Sequence, residues 1–302
     1  MAALAVIIVG VSCGNSNASQ CQAVPSDPKS IAVGSSGYSE SKVLAEIYVQ
    51  ALQANGFKVS RHYGISSREN YIPALRDGAI SVIPEYIGNL LVYLDPTATA
   101  TTLDAILQAL KRRLPADLRL LTPSAASDTD TVTVTDETAK KWHLRTIGDL
   151  APYSAEVKFA APPEFEVRSQ GLPGLKEKYG LDISPDNFVG VPAGADRIVT
   201  KLVDGTVQAA NVFSTNPAIP ENNLVILRDD KHNFLAQNLV PLVNSRKMSD
   251  DLMTVLNAVS AKLTTAGLIA LNTTVSGQAG MDPGEAVEDW LRENGLDKSI
   301  RS

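Results

Sequence analysis

The order of apolar and polar positions along the chain predicts strands and helices in alternation. Residues 30–34 form a short apolar run before a Gly/Ser turn, which is typical of a buried strand. Over residues 41–55, Val43, Ile47 and Ala51 recur at the spacing of one face of a helix. The pattern therefore predicts that an amphipathic helix follows the first strand.

The same two patterns predict the remaining elements. Further strands are expected at residues 57–59, 80–83, 118–121, 131–134, 157–160, 207–212 and 224–227. Further helices are expected at residues 68–77, 103–114, 147–150, 174–180, 198–204, 250–263, 265–275 and 283–294. Because strands and helices follow one another, we expect an α/β fold with parallel-rich sheets flanked by helices.

Two stretches, near residues 122–130 and 216–224, separate these series of elements. We interpret them as crossover hinges between two lobes that close on a ligand. Lobe 1 would then comprise residues 29–122 and 223–302, and lobe 2 would comprise residues 123–222.

The first 28 residues have the composition of a signal and a tether. Met1 to Val11 are almost wholly apolar, and Ser12-Cys13-Gly14 leads into a polar stretch. This resembles a bacterial lipoprotein signal, so we expect export, lipidation of Cys13 and anchoring to the outer face of the cytoplasmic membrane. Gly10 and the absence of a basic residue before the apolar run depart from that pattern, and a secreted protein is the alternative. Cys21 would have no partner, so no disulfide is expected.

Composition and charge exclude some partners. The 302 residues suggest about two domains, and 44% hydrophobic content is sufficient for a core. A net charge of −6 without a basic cluster argues against a nucleic-acid partner. We expect a monomer.

The sequence nominates no catalytic machinery. The three histidines, His62, His143 and His232, do not stand at metal-ligand spacing. No nucleophile elbow or phosphate loop occurs, and the Gly34–Gly37 turn lacks the third glycine of a dinucleotide fingerprint. We therefore expect no metal, no cofactor and no enzymatic activity.

The most informative segment, residues 78–90, ends a β-branched run with Pro84, Glu85, Tyr86 and Gly88. Open α/β sheets bind ligands at the ends of their strands. A tyrosine there offers a π face to a cationic ligand, although a tyrosine in the core is the plainer interpretation.

Four blocks carry a resemblance to a known family. They are residues 34–41 (GSSGYSES), 84–89 (PEYIGN), 164–175 (EFEVRSQGLPGL) and 213–216 (FSTN). Over residues 29–296 the chain resembles the substrate-binding proteins of ABC importers for glycine betaine, choline and related osmoprotectants. The resemblance is especially close to the mycobacterial and actinobacterial lipoproteins of this group. The resemblance implies the two-lobed clamp of periplasmic binding proteins.

The resemblance also implies a ligand site in which aromatic rings surround a quaternary ammonium group and an arginine binds its carboxylate. The matching positions are Tyr38, Ser39, Ser41, Glu69, Tyr86, Asn89, Asp128, Asp130, Arg168 and Phe213. For Tyr38 and Glu69, a surface turn and a helix-start acid are equally good interpretations. Asp130 and Val199 stand where cage rings are expected, so we expect weaker cation–π attraction.

The resemblance thus predicts a solute-binding subunit that captures a quaternary amine and delivers it to a permease and its ATPase. One alternative is the same clamp rebuilt for a neutral polar or aromatic ligand. Another is a ligand-sensing lipoprotein without transport.

Overall fold

Two five-stranded sheets organise the chain in the computed structural model, which describes residues 29–192, 196–276 and 280–300. The strands are β1 (Ser30–Gly34), β2 (Lys58–His62), β3 (Val82–Tyr86), β4 (Leu118–Leu120), β5 (Asp130–Thr135), β6 (Phe159–Ala161), β7 (Phe188–Gly190), β8 (Ala209–Phe213), β9 (Leu224–Ile226) and β10 (Leu239–Asn244). The helices are α1 (Ser39–Ala54), α2 (Arg68–Asp77), α3 (Ile87–Leu94), α4 (Leu103–Arg113), α5 (Asp136–Lys141), α6 (Leu172–Gly174), α7 (Asp196–Val203), α8 (Ala218–Glu221), α9 (Asp250–Lys262), α10 (Thr265–Val275) and α11 (Pro283–Glu293). Short 3₁₀ segments lie at Ile147–Tyr153, Pro163–Glu166, Pro185–Asn187 and Ser245–Lys247, and a π-helical turn lies at Leu175–Tyr179.

The two sheets are built on one plan. The first has the order β2-β1-β3-β10-β4, and the second has the order β7-β6-β8-β5-β9. In the first sheet β1 pairs in parallel with both of its neighbours, and β10 pairs antiparallel with both of its neighbours. In the second sheet β6 and β5 have the same two roles. The predicted α/β fold is confirmed, with mixed sheets. The parallel halves come from strand–helix–strand units, whereas β5 and β10 are entered by chain that crosses from the other sheet.

One strand was expected in the wrong sheet. We predicted that residues 224–227 return to lobe 1, but β9 pairs with β5 in the second sheet. The chain therefore returns later, between β9 and β10, and there Asn238 bridges to Ser127 of the outgoing segment. A short apolar run predicts a strand, but its partner is determined by contacts distant in sequence.

Helices cover both faces of the first sheet. On one face α1 is buried together with α9, α10 and α11, and on the other lie α2, α3 and α4. Val43, Ile47 and Ala51 of α1 are fully buried, as the helical spacing predicted. The second sheet is likewise covered by two apolar clusters.

The segment around β3 differs in detail from the prediction. The strand continues through Pro84 to Tyr86, because Pro84 faces Pro241 of β10, where two residues without N–H groups can be opposite each other. Gly88 does not form a turn but lies in α3, where a Cβ would come within 2.6 Å of the Ala236 carbonyl oxygen. Tyr86 is thereby held at the carboxyl end of a fully buried strand.

Within the described ranges, no single helix is long and apolar enough to cross a membrane. The pair α9 and α10 meets that test together by length and composition only, with a bend of 88° between them. Cys13 and Cys21 lie outside the described residues.

Candidate ligand-binding site

A cavity of about 80 Å³ lies between the two sheets. Its walls come from the segments that follow β1 and β6, the ends of β3 and β8, and α3. They also come from α2 with the residues before it, and from the segment that leads into β5. The lining residues are Ser36, Tyr38, Ser66, Ser67, Arg68, Tyr71, Tyr86, Asn89, Asp128, Asp130, Pro162, Glu164, Phe165, Arg168, Gln170, Asn211 and Phe213. Ligands of open α/β sheets bind at this kind of edge.

Aromatic rings supply much of the cavity wall. The rings of Tyr38 and Phe213, one from each lobe, have centroids 5.6 Å apart and are tilted by 39°. Tyr71, Tyr86 and Phe165 complete the set of aromatic lining residues. Tyr71 and Phe165 are rings that were not expected at this site, whereas positions 130 and 199 carry no ring. Rings in this number give a cation several π faces.

Tyr86 is held by the buried carboxylate of Glu40. The Tyr86 hydroxyl donates to Glu40 Oε1, while Thr215 Oγ1 and Asn272 Nδ2 each donate to Oε2 at 2.5 Å. Burial and the Glu40 charge raise the pKa of the Tyr86 hydroxyl well above its ordinary value. The hydroxyl is therefore committed to Glu40, and the ring is what Tyr86 offers to a ligand.

A buried ion pair supports the part of the wall formed by Arg68 and Tyr71. Arg68 Nε donates to Glu85 Oε1 at 2.5 Å, and the Tyr71 hydroxyl donates to Glu85 Oε2 at 2.6 Å. Glu85 is 1% exposed. The position of Glu85 at a strand end had suggested that its carboxylate faces a ligand. It instead supports Arg68 and Tyr71 from inside the protein.

Two acids of the cavity wall, Asp128 and Asp130, accept hydrogen bonds from neighbouring polar groups. Asp128 accepts hydrogen bonds from Thr215 N (3.0 Å) and Ser214 Oγ (3.2 Å). Burial, reinforced by the charge of Glu40, raises the pKa of Asp128 well above its ordinary value. Burial also raises the pKa of Asp130, although hydrogen bonds from Asn211 and Asn89 act to lower it. Both acids would be stabilised in the ionised form by a cation.

Arg168 stands at the mouth of the cavity. One of its terminal nitrogens lies 3.6 Å from Glu69 of α2 and 3.7 Å from Glu164. Gly171 allows the chain to turn here, because a Cβ at this position would come within 1.8 Å of the Phe165 carbonyl oxygen. The turn brings Phe165, Arg168 and Gln170 to the cavity together.

Most of the predicted site residues meet in this cavity. Tyr38, Tyr86, Asn89, Asp128, Asp130, Arg168 and Phe213 line it. Glu69 lies next to it, in a second cavity that also includes Arg168.

Three predicted placements differ. Ser39 is exposed at the start of α1, and Ser41 Oγ accepts a hydrogen bond from the Ser36 backbone at 2.9 Å, so neither lines the cavity. Val199 packs in the core of the second lobe, because α7 turns that face toward its sheet.

Sequence reasoning missed Arg68, Tyr71, Gln170 and Asn211. Arg68 and Tyr71 are three positions apart in α2, on one helix face, shortly before the strand that carries Glu85. That spacing could have suggested the network. Gln170 and Asn211 give no local signal.

No group of three or more His, Cys, Asp or Glu side chains within residues 29–192, 196–276 and 280–300 is arranged to hold a metal ion.

Comparison with known proteins agrees with this geometry. The family model described as the substrate binding domain of ABC-type glycine betaine transport system matches residues 29–293. This chain belongs to that family. Its members are extracytoplasmic substrate-binding components of ABC importers and not enzymes.

Individual relatives match along most of their length. The chain is 26% identical to the glycine-betaine-binding protein of Pseudomonas aeruginosa, over 89% of each chain. It is 25% identical to the glycine betaine-binding protein YehZ of Escherichia coli, over 89% of this chain and 92% of that one. A solved glycine betaine/carnitine/choline ABC transporter structure shares the fold, with a TM-score of 0.68 at 22% identity, over 89% of this chain and 100% of that one.

Proposed function

We propose that this protein captures a quaternary amine of the betaine or choline type between its lobes and delivers it to an ABC permease. The observation that carries the proposal is the combination of five aromatic rings with two acids, the buried Asp128 and the half-buried Asp130, in one small cavity. A trimethylammonium group donates no strong hydrogen bond, so π faces and carboxylates are the groups suited to bind it.

The arginines supply the other end of the site. Arg68 and Arg168 both line the cavity, and a guanidinium suits a ligand carboxylate. Arg168 already has two acids within 4 Å, whereas Arg68 is buried and held from behind by Glu85. Both remain candidates for the carboxylate partner.

Several features of the proposal rest on the sequence. They are the lipid anchor at Cys13, export to the outer face of the membrane, the monomeric state, and the resemblance to actinobacterial lipoproteins. The lobe boundaries also rest on the sequence, except that β9 belongs to lobe 2. A permease and an ATPase are the partners that the family implies.

Calorimetric titration of the purified protein tests the ligand class. Glycine betaine, choline and proline betaine are compared with neutral polyols and phenolics. We expect micromolar binding of at least one quaternary amine, weakened by about 1–2 kcal/mol in Phe213→Leu, because leucine retains bulk but has no π face.

Phe188→Leu is the matched control, since Phe188 lies in the same sheet but outside the cavity lining. It should bind like the parent. Binding of a neutral compound with no response to any amine would reject the proposal and favour a rebuilt pocket.

A further inference from the structure

Glu40 is a buried carboxylate that does not line the cavity. It nevertheless accepts three side-chain hydrogen bonds, from the Tyr86 hydroxyl at Oε1 and from Thr215 Oγ1 and Asn272 Nδ2 at Oε2. A carboxylate only accepts, so all three groups must donate to it. Glu40 therefore fixes the orientation of three side chains around one point inside the protein.

The three donors come from both lobes. Tyr86 ends β3, and Asn272 lies in α10, which packs with the first sheet. Thr215 lies between β8 and β9, which both belong to the second sheet. Asn272 Nδ2 also donates to the Thr215 backbone oxygen at 3.4 Å. Glu40 and Asn272 of lobe 1 thus bind both the side chain and the backbone of Thr215 in lobe 2.

This contact between the lobes is connected to the cavity on each side. In lobe 2, Phe213 lines the cavity, and only Ser214 separates it from Thr215. A movement that withdraws Phe213 from the cavity therefore also pulls Thr215 away from Glu40. In lobe 1, Glu40 holds the hydroxyl of Tyr86, whose ring lines the cavity. Closure of the contact and placement of two aromatic rings are one event.

We propose that Glu40 and Asn272 form a latch on Thr215, which holds the lobes together around a bound ligand. Glu40 is then a positioning residue, since it contacts no ligand itself. The proposal rests on the proposed function for the choice of ligand. Because the latch residues lie outside the cavity lining, the latch should determine how slowly a ligand leaves. It should not distinguish one amine from another.

Rapid-filtration kinetics of the full-length chain with radiolabelled glycine betaine and choline test this. Thr215→Val removes the hydroxyl that donates to Glu40 and keeps the shape of the side chain. We expect dissociation to become about tenfold faster for both amines, the size of effect of one hydrogen bond to a charged group, with association within about twofold of the parent. Thr215→Ser keeps a hydroxyl and should restore slow dissociation.

A double-mutant cycle tests whether the effect runs through Glu40. Glu40→Gln should also speed dissociation, because its amide nitrogen cannot accept. In the Glu40→Gln background, Thr215→Val should change the dissociation rate by less than about twofold, since the contact is already broken.

Thr133→Val is the matched control. Thr133 is buried in lobe 2, and its hydroxyl lies 2.7 Å from Thr131 Oγ1 of the same strand, so this change removes a hydrogen bond that does not cross the lobes. It should leave both rates at the values of the parent. Unchanged dissociation in Thr215→Val, or faster dissociation of one amine alone, would refute the latch while the proposed function stands.

If neither amine binds the parent, the proposed function is wrong, and hydrogen exchange of the ligand-free chain then decides on the latch. Amides of residues 213–216 should exchange faster in Glu40→Gln than in the parent, whereas those of residues 131–134, within the second sheet, should not change. Equal exchange of residues 213–216 in the two proteins would overturn the inference.

Discussion

At the scale of single residues, the acids of the cavity determine what it can hold. Asp130 accepts two amide hydrogen bonds, yet burial still raises its pKa. Burial therefore makes ionisation of Asp130 less favourable than in water, and a positive charge in the cavity would offset that cost. In place of a cage ring, the chain has an acid that can attract the cation directly.

Asp130→Asn should weaken binding of a quaternary amine by on the order of 1–3 kcal/mol, because the charge attraction is lost while the size is kept. In the parent, affinity should rise with pH through the raised pKa of Asp130, and the variant should lose that dependence. The ligand-free fold has the opposite dependence. Because the pKa of Asp130 is raised in the folded state, this group adds to the free energy of unfolding at a pH below its ordinary pKa of about 3.9. That contribution is lost as the pH rises through the raised pKa.

Titrations with choline between about pH 4 and pH 8 would measure both effects. Asp136→Asn, which changes an exposed acid at the start of α5, is the charge-matched control. Equal pH dependence in the parent and in Asp130→Asn would exclude Asp130 as the titrating partner.

At the scale of elements, α3 positions one wall of the site through its contact with the segment before β10. Asn89 lies in this helix, and its backbone nitrogen donates to Gln237 Oε1 of that segment at 3.0 Å. Gly88 makes the approach possible. The helix was absent from the predicted elements because its eight residues are mostly apolar and continue directly from the strand.

Gly88→Ala should lower the free energy of unfolding by about 1–3 kcal/mol, because its Cβ would meet the Ala236 carbonyl oxygen at 2.6 Å and Leu235 Cβ at 2.9 Å. Urea unfolding measures this. Gly37→Ala, with nothing within 4 Å of the added Cβ, should be neutral or slightly stabilising. Similar midpoints for the two variants would show that the close approach does not constrain α3.

At the scale of the whole molecule, the site exists only because two lobes face each other. Tyr38 and Phe213 approach from different sheets, and Thr215 reaches across to Glu40. A ligand in this cavity must therefore contact both lobes, and a hinge motion of the lobes would admit it.

A ligand at one hundred times its dissociation constant should raise the free energy of unfolding by about 2.7 kcal/mol, by mass action. Because the ligand contacts both lobes, calorimetry should show the whole unfolding transition moving to higher temperature. A transition that splits, with only one part moving, would place the ligand within a single lobe. Asp130→Asn at the same choline concentration should show a smaller shift.

The sequence by itself determined the order and type of most elements, the two-lobed α/β fold and the family, because apolar periodicity and short motifs are local. It also nominated seven of the residues that line the cavity. Only the tertiary structure decided that β9 joins the second sheet, that Glu85 supports Arg68 and Tyr71, and that Gln170 meets Asn89 from 81 positions away. These contacts depend on how distant segments pack, and no local pattern of residues encodes that.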